Sequence, residues 1–254
     1  MTAGARRRAA AMLAAVTAVA PPRSTAAQGQ VDRLDRAQVL TALARATPEH
    51  PVDFSGKDLS DLDLSGVDLK RANLTKSRLV RTNFHNARLF AVTLTDAIAT
   101  QADFTAANLD VAVAYRVDLR GATLRDASAF AVILNGADLS DADLSGIRLI
   151  GPMNSARARR AKFVKADLGV DPGNQSMGIM RVDATAVDFS GADLSGANLR
   201  KALLVRADFT GAELTDADVT GADLAGAILK DVRGKARIRG LDRAVHVDEA
   251  ISND

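Results

Sequence analysis

The chain contains no cysteine, no tryptophan, one tyrosine and three histidines among its 254 residues. Without cysteine it can form neither a disulfide bond nor a cysteine-ligated metal site. His50, His85 and His246 are far apart in the sequence, so no pair has the spacing of metal ligands. The motifs Gly-x-Ser-x-Gly and Gly-Lys-Ser/Thr are missing, and no apolar run reaches the roughly 18 residues of a membrane span. We therefore expect a non-catalytic protein with no cofactor, no metal and no transmembrane segment.

Most of the chain follows a five-residue rhythm of the form Ala-Asp/Asn-Leu/Phe-x-x. It is clearest in residues 137–141, 142–146 and 197–201, which read Ala-Asp-Leu-Ser-Asp, Ala-Asp-Leu-Ser-Gly and Ala-Asn-Leu-Arg-Lys. The apolar residue at the centre recurs from Phe54 to Leu149 and again from Phe189 to Leu229. A strict internal repeat of this kind is typical of a solenoid, in which similar short units stack on one another.

The period of five indicates what each unit looks like. It fits neither an α-helix nor a long strand, but it fits a short extended side followed by a corner. The centre and the alanine two residues before it point inward, while the Asp or Asn between them points outward. The last two residues are often Ser, Thr, Asp or Gly, which favour turns. Four such sides make a coil of about 20 residues, and coils stack at about 4.8 Å, the spacing of neighbouring strands.

This pattern resembles the pentapeptide-repeat family. The resemblance covers residues 52–230, where around 17 units carry Asp or Asn before a Leu or Phe centre. It implies an all-β fold, a right-handed quadrilateral β-helix, with room for about nine coils and a length of about 43 Å at the strand spacing. Phe84 should stack on Phe104, and Phe189 on Phe209, because the members of each pair are one coil apart. The small centres Ala99, Ala114, Ala129 and Ala184 predict locally thin packing.

The two ends of the chain depart from the rhythm. Residues 1–27 read as a signal peptide, with a basic start at Arg6–Arg8, an apolar run at Ala9–Ala20 and a cleavage site before Gln28. They predict export to the periplasm or cell exterior; the alternative is a cytoplasmic protein with a disordered tail or a start assigned too early. Residues 28–51 predict a capping helix and linker, with the helix at Val31–Ala46 ended by Pro48.

Residues 52–230 are expected to form one solenoid that is irregular at 150–178. The rhythm falls one residue short between Leu149 and Phe163 and gains one residue between Leu168 and Ile179. We interpret these slips as cancelling, so that the sides line up again, with a protruding turn or short loop at Gly169–Gly178. Residues 231–254 predict a C-terminal cap or tail, with a short helix after Leu241; the resemblance offers a homodimer contact at this end as the alternative.

Charge limits the choice of partner. The formal charge is +2, but the leader holds four of the 33 basic residues and no acid, so its removal leaves 29 basic and 31 acidic residues, a charge of −2. Nucleic-acid binding is therefore disfavoured. The resemblance also implies DNA mimicry directed at DNA gyrase, but a mimic needs the strong negative field of a duplex. Most Asp residues lie mid-side, where they can accept backbone N–H bonds.

Two basic groups are the candidate contact residues for an anion or a protein. If every coil holds 20 residues, one side collects Arg81, Arg120, Arg181, Arg200 and Lys201. The densest basic run is Arg157, Arg159 and Arg160, continued by Lys162 and Lys165, and reads either as an anion-binding patch or as a solvated loop. Our leading hypothesis is a rigid interaction or structural rod in the cell envelope with an unknown protein or anionic partner. The alternatives are a binder of lipid headgroups or acidic polymers, and a gyrase-directed DNA mimic.

Overall fold

The structure, a computed structural model, describes residues 32–47, 49–69, 71–170 and 180–253. The predicted signal peptide, the first residue of the predicted capping helix, Pro48 and Ile179 lie outside these ranges. So does most of the predicted loop at Gly169–Gly178.

Four ladders of parallel, in-register pairing run along the described part of the chain, one for each side of a square coil. Each centre donates its N–H to the next coil, as from Leu79 N to Ile98 O at 2.7 Å, and each mid-side residue donates to the previous coil, as from Arg78 N to Lys57 O at 2.9 Å. Within the described ranges, only two sides are regular enough to count as strands, β1 (Ser128–Phe130) and β2 (Arg148–Ile150), which pair in parallel.

The four sides are named here by the mid-side residues that they stack. The first side stacks residues 53, 73, 93, 113, 133, 152, 183, 203, 223 and 245. The second stacks 58, 78, 98, 118, 138, 157, 188, 208, 228 and 251. The third stacks 63, 83, 103, 123, 143, 162, 193, 213 and 233, and the fourth 68, 88, 108, 128, 148, 167, 198, 218 and 239. The third and fourth sides thus pass through nine successive coils, as the repeat predicts.

The lumen is packed with the apolar residues at the centre of each repeat unit and with the small residues two positions before them. Nearly all of these side chains are fully buried. Phe84 stacks on Phe104 with ring centroids 5.0 Å apart, and Phe189 on Phe209 at 5.1 Å. Both stacks are confirmed, on different sides as expected. The predicted thin packing is confirmed at Ala114 and Ala129, which line an apolar cavity of about 20 Å³ together with Phe104 and other lumen residues. A cavity of this size with no polar lining holds no stable water.

Each corner is a four-residue turn closed by a hydrogen bond, such as that from Lys57 N to Phe54 O at 3.1 Å. The second corner residue has a positive φ in coil after coil, as a type II turn requires at its third position. The outward Asp side chains hold these turns. Asp53 Oδ1, for instance, accepts the N–H of Ser55 at 2.9 Å. The structural role expected for the mid-side Asp residues is therefore confirmed.

The interpretation that the two slips cancel is wrong. One residue is missing at Gly151-Pro152, so that Asp138 pairs with Arg157 only 19 positions on; Asp167 then pairs with Asn198, 31 positions on and 11 more than the standard 20. The chain gains ten residues in total, which is two sides of a coil. Residues 150–168 otherwise stay in the ladders, and the extra length lies between Leu168 and Val182.

The missing residue has a local cause in the sequence. A Cβ on Gly151 would lie 2.2 Å from Val132 O, and its φ of 139° is rarely adopted by other residues. Pro152 has no N–H to donate to the previous coil, but its carbonyl still accepts from Leu134 N at 2.8 Å. The shortened corner therefore keeps half of the usual ladder pairing.

The N-terminal end is capped as predicted. Helix α1 (Arg36–Arg45) begins with a capping box between Asp35 and Gln38, and it buries Val39 and Leu43 against the first coil. The residues around its start also satisfy carbonyls of the first coil that have no preceding coil. Leu34 N donates to Asp58 O at 2.8 Å, and Arg36 Nε donates to Asp63 O at 2.8 Å.

The C-terminal end is not covered by the expected helix. The ladders instead continue through Arg233, Arg239, Val245 and Ile251, six residues apart. The extra residue in each side is taken up by 3₁₀ turns at Lys235–Arg237, Leu241–Arg243 and Val247–Glu249. Residues 233–251 are therefore a last, wider coil.

Candidate interaction surfaces

The expected basic side does not exist, because the ten extra residues separate its members. Arg81 and Arg120 lie at the corner after the second side, whereas Arg200 and Lys201 lie at the corner after the fourth side, diagonally across the coil. Arg181 precedes the first side and donates to Lys201 O at 3.2 Å, so it belongs with the latter pair. Arg157, Arg159 and Arg160 belong with Arg81 and Arg120, which the rhythm alone did not show.

The group around Arg160 is neutralised by acids one coil away or within the same corner. Its ion pairs are Arg81–Asp61 at 2.6 Å, Arg120–Asp118 at 2.6 Å, Arg160–Asp141 at 2.6 Å, Arg157–Asp138 at 3.9 Å and Arg159–Asp188. The hydrogen bond from Arg160 lowers the pKa of the Asp141 carboxyl, and the hydrogen bond that Arg120 donates to Asp118 raises the pKa of the Arg120 guanidinium. These carboxylates are thus charged partners rather than free acids.

Charge along this part of the rod alternates in sign. The second side and its following corner carry eight basic residues among those described, Lys57, Arg78, Arg81, Arg120, Arg157, Arg159, Arg160 and Lys230. They carry eight acidic residues, Asp58, Asp61, Asp118, Asp138, Asp141, Asp188, Asp208 and Asp231. The continuous positive stripe that an anion-binding side requires is therefore not seen here.

The second predicted group is small. Arg200 Nη1 lies 3.4 Å from Asp218 Oδ2, and the stem of Lys201 lies 3.3 Å from the position a Cβ would take at Gly221. Long corner side chains lie over a glycine of the next coil in this way at several corners. The arrangement covers the backbone, and among the described residues neither Arg181 nor Lys201 of this group is held in an ion pair.

The corner after the third side has two open grooves, one on each side of Lys165. They have volumes of about 430 and 360 Å³ and are lined by both signs of charge, including Arg125, Asp126, Asp216 and Arg239. The larger groove contains Gly196 and the smaller one Gly146, and each glycine leaves its corner without a side chain. Their mixed charge and open shape favour solvent over a bound small molecule.

A surface that the sequence analysis missed lies on the first side and the corners at its two ends. We call it the apolar face, and it consists of Phe90, Val111, Val113, Tyr115, Phe130 and Ile133. Phe90, Val111 and Tyr115 are 49%, 43% and 37% exposed. The signal was present in the repeat, because Val113, Ile133 and Pro152 stand in three successive coils where Asp or Asn is usual.

The residues of the apolar face are held by ladder pairing and by one cation. Val113 pairs with Ile133 in register, and β1 carries Phe130 at its end. The guanidinium of Arg148 lies 5.4 Å from the centre of the Phe130 ring, a cation–π contact. The cavity behind Ala114 lies directly inside this surface.

Other kinds of site are not found in the described ranges. No three His, Asp or Glu residues among them are arranged to hold a metal ion. No helix there is long and apolar enough to cross a membrane.

Four in-register ladders around a packed lumen define a solenoid of the β-helix class, whose chemistry lies on its surface. The chain belongs to the pentapeptide-repeat family. The family model, pentapeptide repeats, matches eight copies over residues 52–86, 87–126, 115–151, 181–200 and 192–231. This match confirms the resemblance and the right-handed quadrilateral β-helix.

Several solved structures are similar to the chain, whereas no curated protein matches it. HetL, a pentapeptide repeat protein involved in heterocyst differentiation regulation in the cyanobacterium Nostoc sp. strain PCC 7120, is 25% identical over 86% of this chain and 94% of its own, with a TM-score of 0.45. QnrB1, a plasmid-mediated fluoroquinolone resistance protein, is 18% identical over 77% and 92%, with a TM-score of 0.44. A pentapeptide repeat protein from the Arabidopsis thaliana thylakoid lumen is 22% identical over 62% and 73%, with a TM-score of 0.18.

Proposed function

We propose that the chain is a non-catalytic interaction module, a stiff rod that presents side chains to a partner in the cell envelope. The observation that carries the proposal is the apolar face. On this side, three successive coils have Val113, Ile133 and Pro152 in place of the usual mid-side Asp or Asn. Solvent-exposed apolar groups gathered on one surface are typical of interaction sites. The lumen is filled by side chains, which leaves the surface as the part of the rod that can bind.

The paired surface charges argue against the two alternatives. An anion binder needs an excess of positive charge, and a DNA mimic needs an excess of negative charge. On the second side, where the densest basic run lies, the two signs are balanced and joined by short ion pairs.

Photo-crosslinking from each side of one coil tests the module directly. A photoreactive amino acid is placed, one at a time, at Thr93, Ile98, Asp103 and Asn108, which lie on the first to fourth sides. We expect a discrete adduct in the native cells from at least one side, with a yield that differs between sides. No adduct from any side, or equal non-specific labelling from all four, would contradict the proposal.

Export is a separate part of the proposal and rests on the basic start and apolar run of residues 1–27. A reporter that is active only outside the cytoplasm, fused after Asp254, tests it. We expect activity with the natural leader and its loss when residues 1–27 are deleted. No activity in either fusion would leave a cytoplasmic rod, and equal activity in both would show that residues 1–27 are not the export signal.

A further inference from the structure

The apolar face lacks the side-chain bond that holds the corners elsewhere on the same side. Asp53 and Asn73 before it, and Asp183 after it, each accept the backbone N–H two residues on, at 2.9, 3.0 and 3.1 Å. Val113 and Ile133 have no acceptor to offer. The chain therefore loses a stabilising contact in these coils and exposes apolar surface in its place.

Val111 adds backbone strain at the same place. It is the one β-branched residue among the described non-glycine residues of positive φ, with a φ of 62°. A β-branched side chain is disfavoured in the left-handed region, and strain of this kind gathers at functional sites. Gly121 and Gly136 show that nearby corners use glycine at the equivalent position. Packing within the rod does not explain Val111, because its side chain is exposed.

The size of the apolar face indicates what could cover it. It spans three coils, about 14 Å along the rod, and one side, about 10 Å across. That is a few hundred Å² at most, well below the roughly 800 Å² per partner of a stable dimer. An α-helix has a diameter of about 10–12 Å with its side chains, and helices pack on sheet faces in layered folds. One helix therefore fits where a second rod would bury too little.

The charges around the apolar face indicate which charge the polar residues of that helix should carry. Its surroundings hold Arg71, Lys76, Arg88, Arg116 and Arg148 against Asp68, Asp96 and Asp110. All three acids are already engaged, since Asp68 lies 4.0 Å from Arg88, Asp96 pairs with Arg116 at 2.8 Å and Asp110 accepts from Ser128 Oγ at 2.6 Å. Positive charge is therefore in excess, which also disfavours the chain's own leader with Arg6–Arg8 as the occupant.

We propose that the apolar face is the docking site for one amphipathic helix of a partner protein, with acidic residues beside its apolar stripe. This inference rests on the proposed function and specifies its partner. The apolar stripe of the helix covers Val111, Val113 and Ile133, with Phe90 and Phe130 along one edge. The acidic residues of the helix reach Arg71 and Lys76, whereas Arg88 and Arg116 keep their ion pairs with Asp68 and Asp96. Binding of this kind is helix-on-surface recognition through anchors three and four residues apart.

A pair of matched peptides provides the probe. Both are stapled helices with leucines at every third and fourth position; one has flanking glutamates and the other flanking lysines. We expect the glutamate peptide to bind the full chain at least tenfold more tightly, by fluorescence anisotropy. The double variant Val113→Asp, Ile133→Asp should lower its affinity at least tenfold. Both changes restore the residue that the repeat normally has there, so the fold is kept. Ile98→Asp, at the same position on the second side, is the matched control and should bind normally.

Val111→Gly separates a docking role from a structural one. It should raise the midpoint of urea unfolding, because the strained φ is relieved, and weaken the glutamate peptide several-fold. No binding, equal binding of the two peptides, or an equal loss with Ile98→Asp would overturn the inference. So would self-association in sedimentation, or retention on anionic vesicles, that is abolished by Val113→Asp. In those cases crosslinking from another side of the rod would still support the interaction module.

Discussion

At the residue scale, the outward carboxylates are part of the backbone architecture. Asp143 Oδ1 accepts both the N–H and the hydroxyl of Ser145, at 3.0 and 2.6 Å, and its other oxygen lies 3.4 Å from Arg125. The repeat predicted this use of Asp, because a residue at the middle of a short side is next to the turn that follows it. Its ion pairs were not predictable, because they depend on which residues lie one coil away.

Replacement of Asp143 tests the value of this contact. Asp143→Ala removes the acceptor for the Ser145 N–H and should lower the free energy of unfolding by about 1 kcal/mol, the usual net value of a hydrogen bond. Asp143→Asn keeps an acceptor oxygen and should lose less than half as much. Urea unfolding of the two variants measures the difference, and equal losses would mean that charge rather than the turn contact stabilises the corner.

The same carboxylate predicts how the rod responds to acid. Burial raises the pKa of Asp143, but the bonds from Ser145 and the charges of Arg125 and Lys162 outweigh it, so the pKa is lowered overall. A lowered pKa stabilises the fold above the unfolded value of about 3.9, and this stability is lost as pH falls through the folded value. Between pH 5 and 2, wild type should therefore lose more stability than Asp143→Asn, as followed by urea midpoints. Parallel curves would contradict this.

At the scale of elements, the sequence was informative about α1 and misleading about the C-terminus. The helix has its own signals, an apolar spacing and a capping box, so it could be predicted without its neighbours. The last coil could not, because its six-residue sides break the period and its 3₁₀ turns resemble a short helix in composition. Pairing with the coil before it, as between Asp223 and Val245, decides its structure.

The last coil also contains a histidine whose pKa is raised by a carboxylate. His246 Nδ1 lies 2.9 Å from Asp223 Oδ1, and this bond raises the pKa of His246 above its ordinary value of 6.5. The bond stabilises the fold below pH 6.5 and is lost as pH rises through the folded pKa. The urea midpoint of wild type should therefore fall between pH 6 and pH 8. His246→Asn, which tolerates the same positive φ, should show a flatter profile; an unchanged profile would assign the effect elsewhere.

At the scale of the whole molecule, the sequence predicted the coil but not which sides its later residues occupy. The five-residue rhythm shows only where a residue lies within its own unit. An insertion of 11 residues shifts that position by one residue, just as an insertion of one residue does. Which of the four sides a residue occupies depends instead on its position within the 20-residue coil. A uniform count of 20 therefore puts Arg200 on the side of Arg81, whereas the pairing of Asn198 with Asp167 places it on the opposite side.

Deletion of residues 170–180 tests this account of the irregular coil. It removes 11 residues and leaves Gly169 and Arg181 as the corner, Val182 and Ala184 pointing inward and Asp183 in the ladder, which is a standard coil. We expect cooperative unfolding with a midpoint close to that of the wild type, since loop length affects stability weakly. Deletion of 170–177, which leaves three extra residues, is the control and should be less stable. A severe loss in the 11-residue deletion would show that the extra segment packs on the rod.

The two ends of the rod have a consequence for polymer growth. A parallel solenoid with matching open ends would stack head to tail and form fibres, since each terminal coil presents unpaired backbone groups. Here α1 occupies the first coil, and the last coil has sides of six residues that do not match the five-residue sides of another copy's first coil. Head-to-tail growth from one copy of this chain to the next is therefore disfavoured by both described ends.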